Sequence, residues 1–160
     1  MEKKELTYTE IELAIANYYG TRQNIIVPNC FINWGTKADH ECDLIVVRPS
    51  CYAEEVEIKR SLSDFKADFK KKHGHIDHRL KHLYYAMPDD VYEQCKDMIP
   101  EYAGVYVITL KYGRPIVKCV KVAPKKECRK LTAEEVLKIA RLGAMRIFKL
   151  KEINLKLRNG

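Results

Sequence analysis

The chain has no Cys-x-x-Cys pair, no His-Glu-x-x-His signature, no internal repeat and no low-complexity tract. It also lacks an apolar run near the roughly 18 residues of a membrane span, and the charged start "MEKKELTYTE" has no apolar stretch of the signal-peptide kind. These absences predict a cytoplasmic protein with no membrane partner. The six cysteines, at 30, 42, 51, 95, 119 and 128, then read as reduced thiols rather than a disulfide framework. No linker divides the chain, and 160 residues with 46% hydrophobic content suit one core, so a single domain over residues 1–160 is expected. What is present in excess is positive charge: 29 Lys plus Arg against 22 Asp plus Glu, a formal net charge of +7 that favours a polyanionic partner.

The order of elements follows from periodicity. Thr7 and Thr9 each precede a glutamate by three residues, a capping-box spacing, and Ile11, Ala14, Ile15 and Tyr18 then recur at helical intervals up to Gly20. Three strand-like runs follow, "NIIVPNCFINW", "CDLIVVR" and "YAEEVEIK", with a turn at Pro49-Ser50. Leu62, Phe65, Phe69, Ile76, Leu80 and Leu83 predict an amphipathic helix running across Gly74. Beyond it lie a short buried strand in "LYYAM", a short helix in "DDVYEQCKDM" and a hairpin turning at Tyr112-Gly113. A C-terminal helix, "TAEEVLKIARLGAMRIFKL", is opened by Thr132 and Glu135.

Two of the strands carry chemistry. In "YAEEVEIK" alternation puts Val56 and Ile58 on one side and Glu55, Glu57 and Lys59 on the other, the pattern of an amphipathic edge strand. That leaves Asp43 unexplained at the start of the preceding strand. A turn at Pro49-Ser50 would bring Asp43 beside Glu57, and two carboxylates held together persist most cheaply around a cation. Oxygen donors favour a hard ion, Mg²⁺ or Mn²⁺, and Lys59 adds a positive charge that can orient water or offset charge on phosphate. Glu55 reads as an ordinary salt-bridging residue.

Asp43, thirteen intervening residues, then Glu57-Ile58-Lys59, on two strands after a helix, resembles the PD-(D/E)XK nuclease superfamily. The longer stretch "HECDLIVVRPSCYAEEVEIKRSLSDFKADFKKKHGH", followed by "YYAMP", is similar to its MmcB-like, DNA-repair-associated branch. The similarity spans roughly residues 5–110; Cys42 stands where many members have proline. The resemblance implies an α/β, restriction-endonuclease-like core: helix, three-stranded meander, helix and strand, with a mixed central sheet flanked by helices and here extended by the C-terminal hairpin and helix over 111–160. It implies metal ligation by Asp43, Glu57 and the Ile58 backbone carbonyl, with Lys59 acting on the nucleophile. The activity implied is DNA phosphodiester hydrolysis in repair, recombination or phage DNA processing, with pairing of two copies a common arrangement. Superfamily members often add a first-helix glutamate. Here Glu10 and Glu12 compete for that place, and Glu12 is preferred because it borders the face bearing Ile15 and Tyr19.

Lys70, Lys71 and Arg79, with Lys66, Lys72 and Lys81, make the segment after Lys59 a candidate phosphate-contacting surface. His73 lies on the apolar stripe between Phe69 and Ile76 and is a further DNA-contact candidate. His75, His78 and His82, spaced by three and four, would share one side of an unbroken helix. With Arg79 and Lys81 crowding that side and no cysteine pair nearby, zinc is not expected. The competing readings are a DNA-binding module of the same fold that does not cleave efficiently, and a structural or partner-binding protein whose acidic cluster carries only salt bridges.

Overall fold

The computed structural model describes residues 5–31, 40–69 and 77–159. The described elements run α1 (Tyr8–Tyr19), β1 (Ile25–Phe31), β2 (Glu41–Val47), β3 (Ala53–Ile58), α2 (Leu62–Asp68), β4 (Leu80–Pro88), α3 (Asp89–Cys95), a 3-10 turn (Lys96–Met98), β5 (Ala103–Lys111), β6 (Arg114–Lys121) and α4 (Ala133–Asn159). The strands form one six-stranded sheet in the order β1-β2-β3-β4-β5-β6. β1–β2, β2–β3 and β5–β6 pair antiparallel, while β3–β4 and β4–β5 pair parallel, so the expected α/β class with a mixed sheet is what the chain forms.

Local chemistry explains the boundaries. At the start of α1, Thr7 Oγ1 accepts from the Glu10 amide and the Glu10 carboxylate accepts from the Thr7 amide, a complete capping box. Gly20, at φ +84°, ends that helix in a conformation costly for other residues. The β5–β6 turn likewise places Tyr112 and Gly113 at positive φ.

Each face of the sheet is covered. Ile11, Ile15 and Tyr19 of α1 pack on Leu44, Val46, Val56, Ile58, Tyr84 and Ile108. On the other face Phe65 joins Leu83, Tyr85, Met87 and Val91, while Ile139 and Leu142 of α4 cover Val27, Ile45 and Val47. The chain reaches β1 again by crossing the end of the sheet. On the way the Lys126, Arg129 and Leu131 amides donate to the Lys81, His78 and Cys51 carbonyls.

Two expectations are corrected. The helix expected from Ser61 through Leu83 ends at Asp68, and Leu80 and Leu83 belong to β4. The apolar spacing there coincides with a helical period, but a strand between two parallel neighbours is buried on both faces and reads as nearly continuous apolar sequence. Nor is β3 an edge strand: it lies between β2 and β4, and all six of its residues are buried. Among the described residues no helix is long and apolar enough to cross a membrane.

Candidate active site

Antiparallel pairing of Leu44 with Val56 extends by one step to set Asp43 beside Glu57. The Ile58 amide donates to Asp43 Oδ2 at 2.8 Å, tying the carboxylate to the end of β3. In an extended strand the N–H and C=O of one residue point to the same side, so the Ile58 carbonyl is directed toward the Asp43 side as well. Glu57 is 1% exposed and Lys59 3%. The ammonium donates to Glu57 Oε2 at 2.9 Å and to Asp68 Oδ1 at 3.0 Å, and the Tyr85 hydroxyl donates to Asp68 Oδ2 at 2.9 Å.

These contacts determine the charge states. Burial, then the neighbouring Glu55 and Asp43, hold the Glu57 carboxyl above the usual carboxylate range, with Lys59 pulling the other way. For Lys59, burial favours the neutral amine, but Glu57 and Asp68 outweigh it and raise the net value. The two carboxylates favour the ammonium form of Lys59, which can orient a water or offset phosphate charge.

The two first-helix glutamates separate cleanly. Glu10 is used by the capping box. Glu12 is half-buried, and burial raises its carboxyl, with Arg146 of α4 lowering it and Asp43 raising it. Tyr8 joins the same cluster: burial, then Asp43 and Glu12, push its hydroxyl well above the ordinary phenol value. Arg146 also donates to the Asn29 carbonyl, where β1 takes a positive φ of 45°.

Asp43, Glu57 and the nearby Glu12 offer oxygen donors, and burial with the neighbouring carboxylates holds Glu57 above the usual range even beside Lys59. That donor chemistry fits a hard divalent ion such as Mg²⁺ or Mn²⁺.

Asp68, Tyr85, Tyr8 and Arg146 were not singled out by sequence reasoning. Asp68 sits among lysines, and only the packing of α2 on β4 turns it inward. Glu55 is corrected from a surface residue: it is fully buried, and its Oε1 lies 2.7 Å from His40 Nε2.

The basic segment divides. Lys70, Lys71, His73 and His75 lie outside the described residues. Arg79 is 8% exposed and its guanidinium donates twice to Asp77, at 2.7 and 2.9 Å, so its placement does not suit a phosphate contact. His78 and His82 do not share a helix: His78 is exposed in a turn, and His82, on β4, has Nδ1 3.4 Å from Glu54 Oε1.

No family model matches the chain, and no curated protein matches it by sequence. The fold is similar to a solved structure described as "SPO1766 protein of unknown function from Silicibacter pomeroyi", with a TM-score of 0.64 at 14% identity, covering 100% of this chain and 97% of that one. At that identity the likeness establishes a shared α/β fold with a six-stranded mixed sheet and a long C-terminal helix.

Proposed function

We propose that the chain is a metal-dependent DNA nuclease of the PD-(D/E)XK type, hydrolysing phosphodiester bonds in DNA repair, recombination or phage DNA processing. One observation carries this reading: two adjacent strands bring Asp43 to Glu57 at the end of β3, with the Lys59 ammonium 2.9 Å from Glu57. Asp43 and Glu57 would hold the ion, joined by the Ile58 carbonyl and Glu12. Bound there, Mg²⁺ or Mn²⁺ would acidify a water and offset charge on the scissile phosphate. The chain's own contributions are positional. The Ile58 amide orients Asp43, Asp68 and Glu57 aim the Lys59 ammonium, and Tyr85 holds Asp68. Lys70, Lys71 and His73 would contact the DNA backbone, and two copies acting together would cut both strands.

A second reading rests on the same lysine. Its ammonium is buried between two carboxylates, an arrangement that also serves a DNA-binding module needing only a stable core. A panel of labelled duplex, flap, junction, mismatched and single-stranded DNAs, incubated with Mg²⁺, Mn²⁺ or EDTA, separates the two. Cleavage that requires the ion and disappears in Asp43→Asn supports the nuclease. Binding without cleavage of any of these DNAs supports the module.

A further inference from the structure

Beside Glu55 lies a cluster that the proposed hydrolysis does not use. His40 precedes β2, Cys42 lies on β2 and Glu55 lies on β3. Their donor atoms, one from each residue, all fall within 4.8 Å of one another. Cys42 is 4% exposed and Glu55 0%, while the His40 side chain keeps 18% of its surface in solvent.

We propose that His40, Cys42 and Glu55 form a zinc-binding site, separate from the oxygen-donor site of Asp43 and Glu57. The donor types decide the metal. An imidazole, a thiol and one carboxylate match the borderline-soft preference of Zn²⁺ and do not suit Mg²⁺, which takes oxygen. The spacing agrees. Zinc–sulfur and zinc–nitrogen bonds of about 2.3 and 2.0 Å at a tetrahedral angle place the two donors about 3.5 Å apart. Cys42 Sγ and His40 Nε2 are 3.5 Å apart. The His40 Nε2 to Glu55 Oε1 contact of 2.7 Å has to open by about 0.6 Å as the ion replaces the shared proton.

The ion pair between His40 and Glu55 uses two of the three donors, and Cys42 Sγ brings the third beside them. Cys42 Sγ lies beside His40 Nε2 and within reach of Glu55, so the thiol sits with the other two donors and gives up its proton when a metal binds. Zinc binding releases that proton, takes His40 as the neutral imidazole, and leaves the fourth position to water on the solvent side of His40. Cys42 on β2, Glu55 on β3 and His40 just before β2 would pin the start of β2 to β3, one residue from Asp43.

The test uses reduced, chelator-stripped full-length protein titrated with Co²⁺ and then with Zn²⁺. One Co²⁺ per chain should give a thiolate-to-cobalt charge-transfer band that Zn²⁺ abolishes, and Zn²⁺ should raise the thermal midpoint. Cys42→Ser should remove the band. His40→Ala should weaken binding more than about tenfold. Both variants are checked for folding by circular dichroism without metal, so that two independent ligands carry the result. Asp43→Asn should keep the band, which separates this site from the proposed nuclease site. The proposal is overturned if Co²⁺ gives no thiolate band, if Cys42→Ser leaves it unchanged, or if Asp43→Asn removes it.

Discussion

At the scale of the residue, the decisive fact is that carboxylates sit where β3 is fully buried. Asp43→Asn keeps an oxygen to accept from the Ile58 amide while removing one negative charge beside Glu57. The metal-free variant should be as stable as the unsubstituted protein or slightly more so, the stabilisation from Mn²⁺ should shrink sharply, and any DNA cleavage should fall by orders of magnitude. Thermal melts with and without Mn²⁺ check this; equal metal-induced shifts in the two proteins would reject the shared site. Glu57 makes a pH-dependent prediction. Because its folded value is raised, its contribution to stability is full below the unfolded value and is lost as pH rises through the folded value. Metal-free Glu57→Gln, which cannot ionise, should therefore gain on the unsubstituted protein as pH rises from the ordinary carboxylate range through the raised folded value, with Lys59 still paired to Asp68. Denaturant titrations across that range measure the gap, and Mn²⁺ affinity of the unsubstituted protein should rise over the same range. Lys59→Ala would strand Glu57 and Asp68 without their ammonium, at a cost of about 3–5 kcal/mol in urea unfolding. Its loss of activity must accordingly be measured where the variant is still folded.

At the scale of the element, close approach decides more than propensity. β4 and β5 pair Tyr84 with Gly104, and the Tyr84 ring stacks on Tyr106 with centroids 4.4 Å apart. A Cβ at Gly104 would lie 2.4 Å from the Tyr84 ring and 2.5 Å from the Ala123 backbone nitrogen. Gly104→Ala should cost at least about 1–3 kcal/mol, because a paired strand and a backbone atom cannot both retreat. A thermal midpoint unchanged by this substitution would show that the strand ends yield more easily than the packing implies. α4 shows the opposite case. Ile139 is fully buried under the sheet, whereas Ile147, Phe148, Leu150 and Leu157 beyond the sheet are at least half exposed.

At the scale of the molecule, the net charge of +7 does not say which cations meet a polyanion. Arg79 is held by Asp77, so Arg79→Ala should act through stability, leaving Asp77 buried without its partner. Lys70→Ala and Lys71→Ala should instead leave stability nearly unchanged. Each should lower the log–log salt slope of DNA binding by about 1 if those lysines neutralise phosphates. Binding titrations at several salt concentrations, paired with thermal melts, separate the two effects.

The sequence by itself determined what depends on short-range regularities. The capping box at Thr7 and Glu10, the β2–β3 turn at Pro49-Ser50, the hairpin at Tyr112-Gly113 and the neighbourhood of Asp43 and Glu57 all follow from spacing along one or two adjacent elements. Tertiary structure decided what depends on contact between distant segments. Whether Leu80 and Leu83 are helix or strand turned on the parallel partners waiting at β3 and β5, since a backbone takes the conformation in which its hydrogen bonds are satisfied when buried. The preference for Glu12 over Glu10 was legible in the helix face it borders, but the presence of Arg146 of α4 beside it was not. Asp68 as the second partner of Lys59 and the meeting of His40, Cys42 and Glu55 had no signal in spacing. A buried charge is compensated by whichever group the fold brings within about 3 Å, and that group can come from anywhere in the chain.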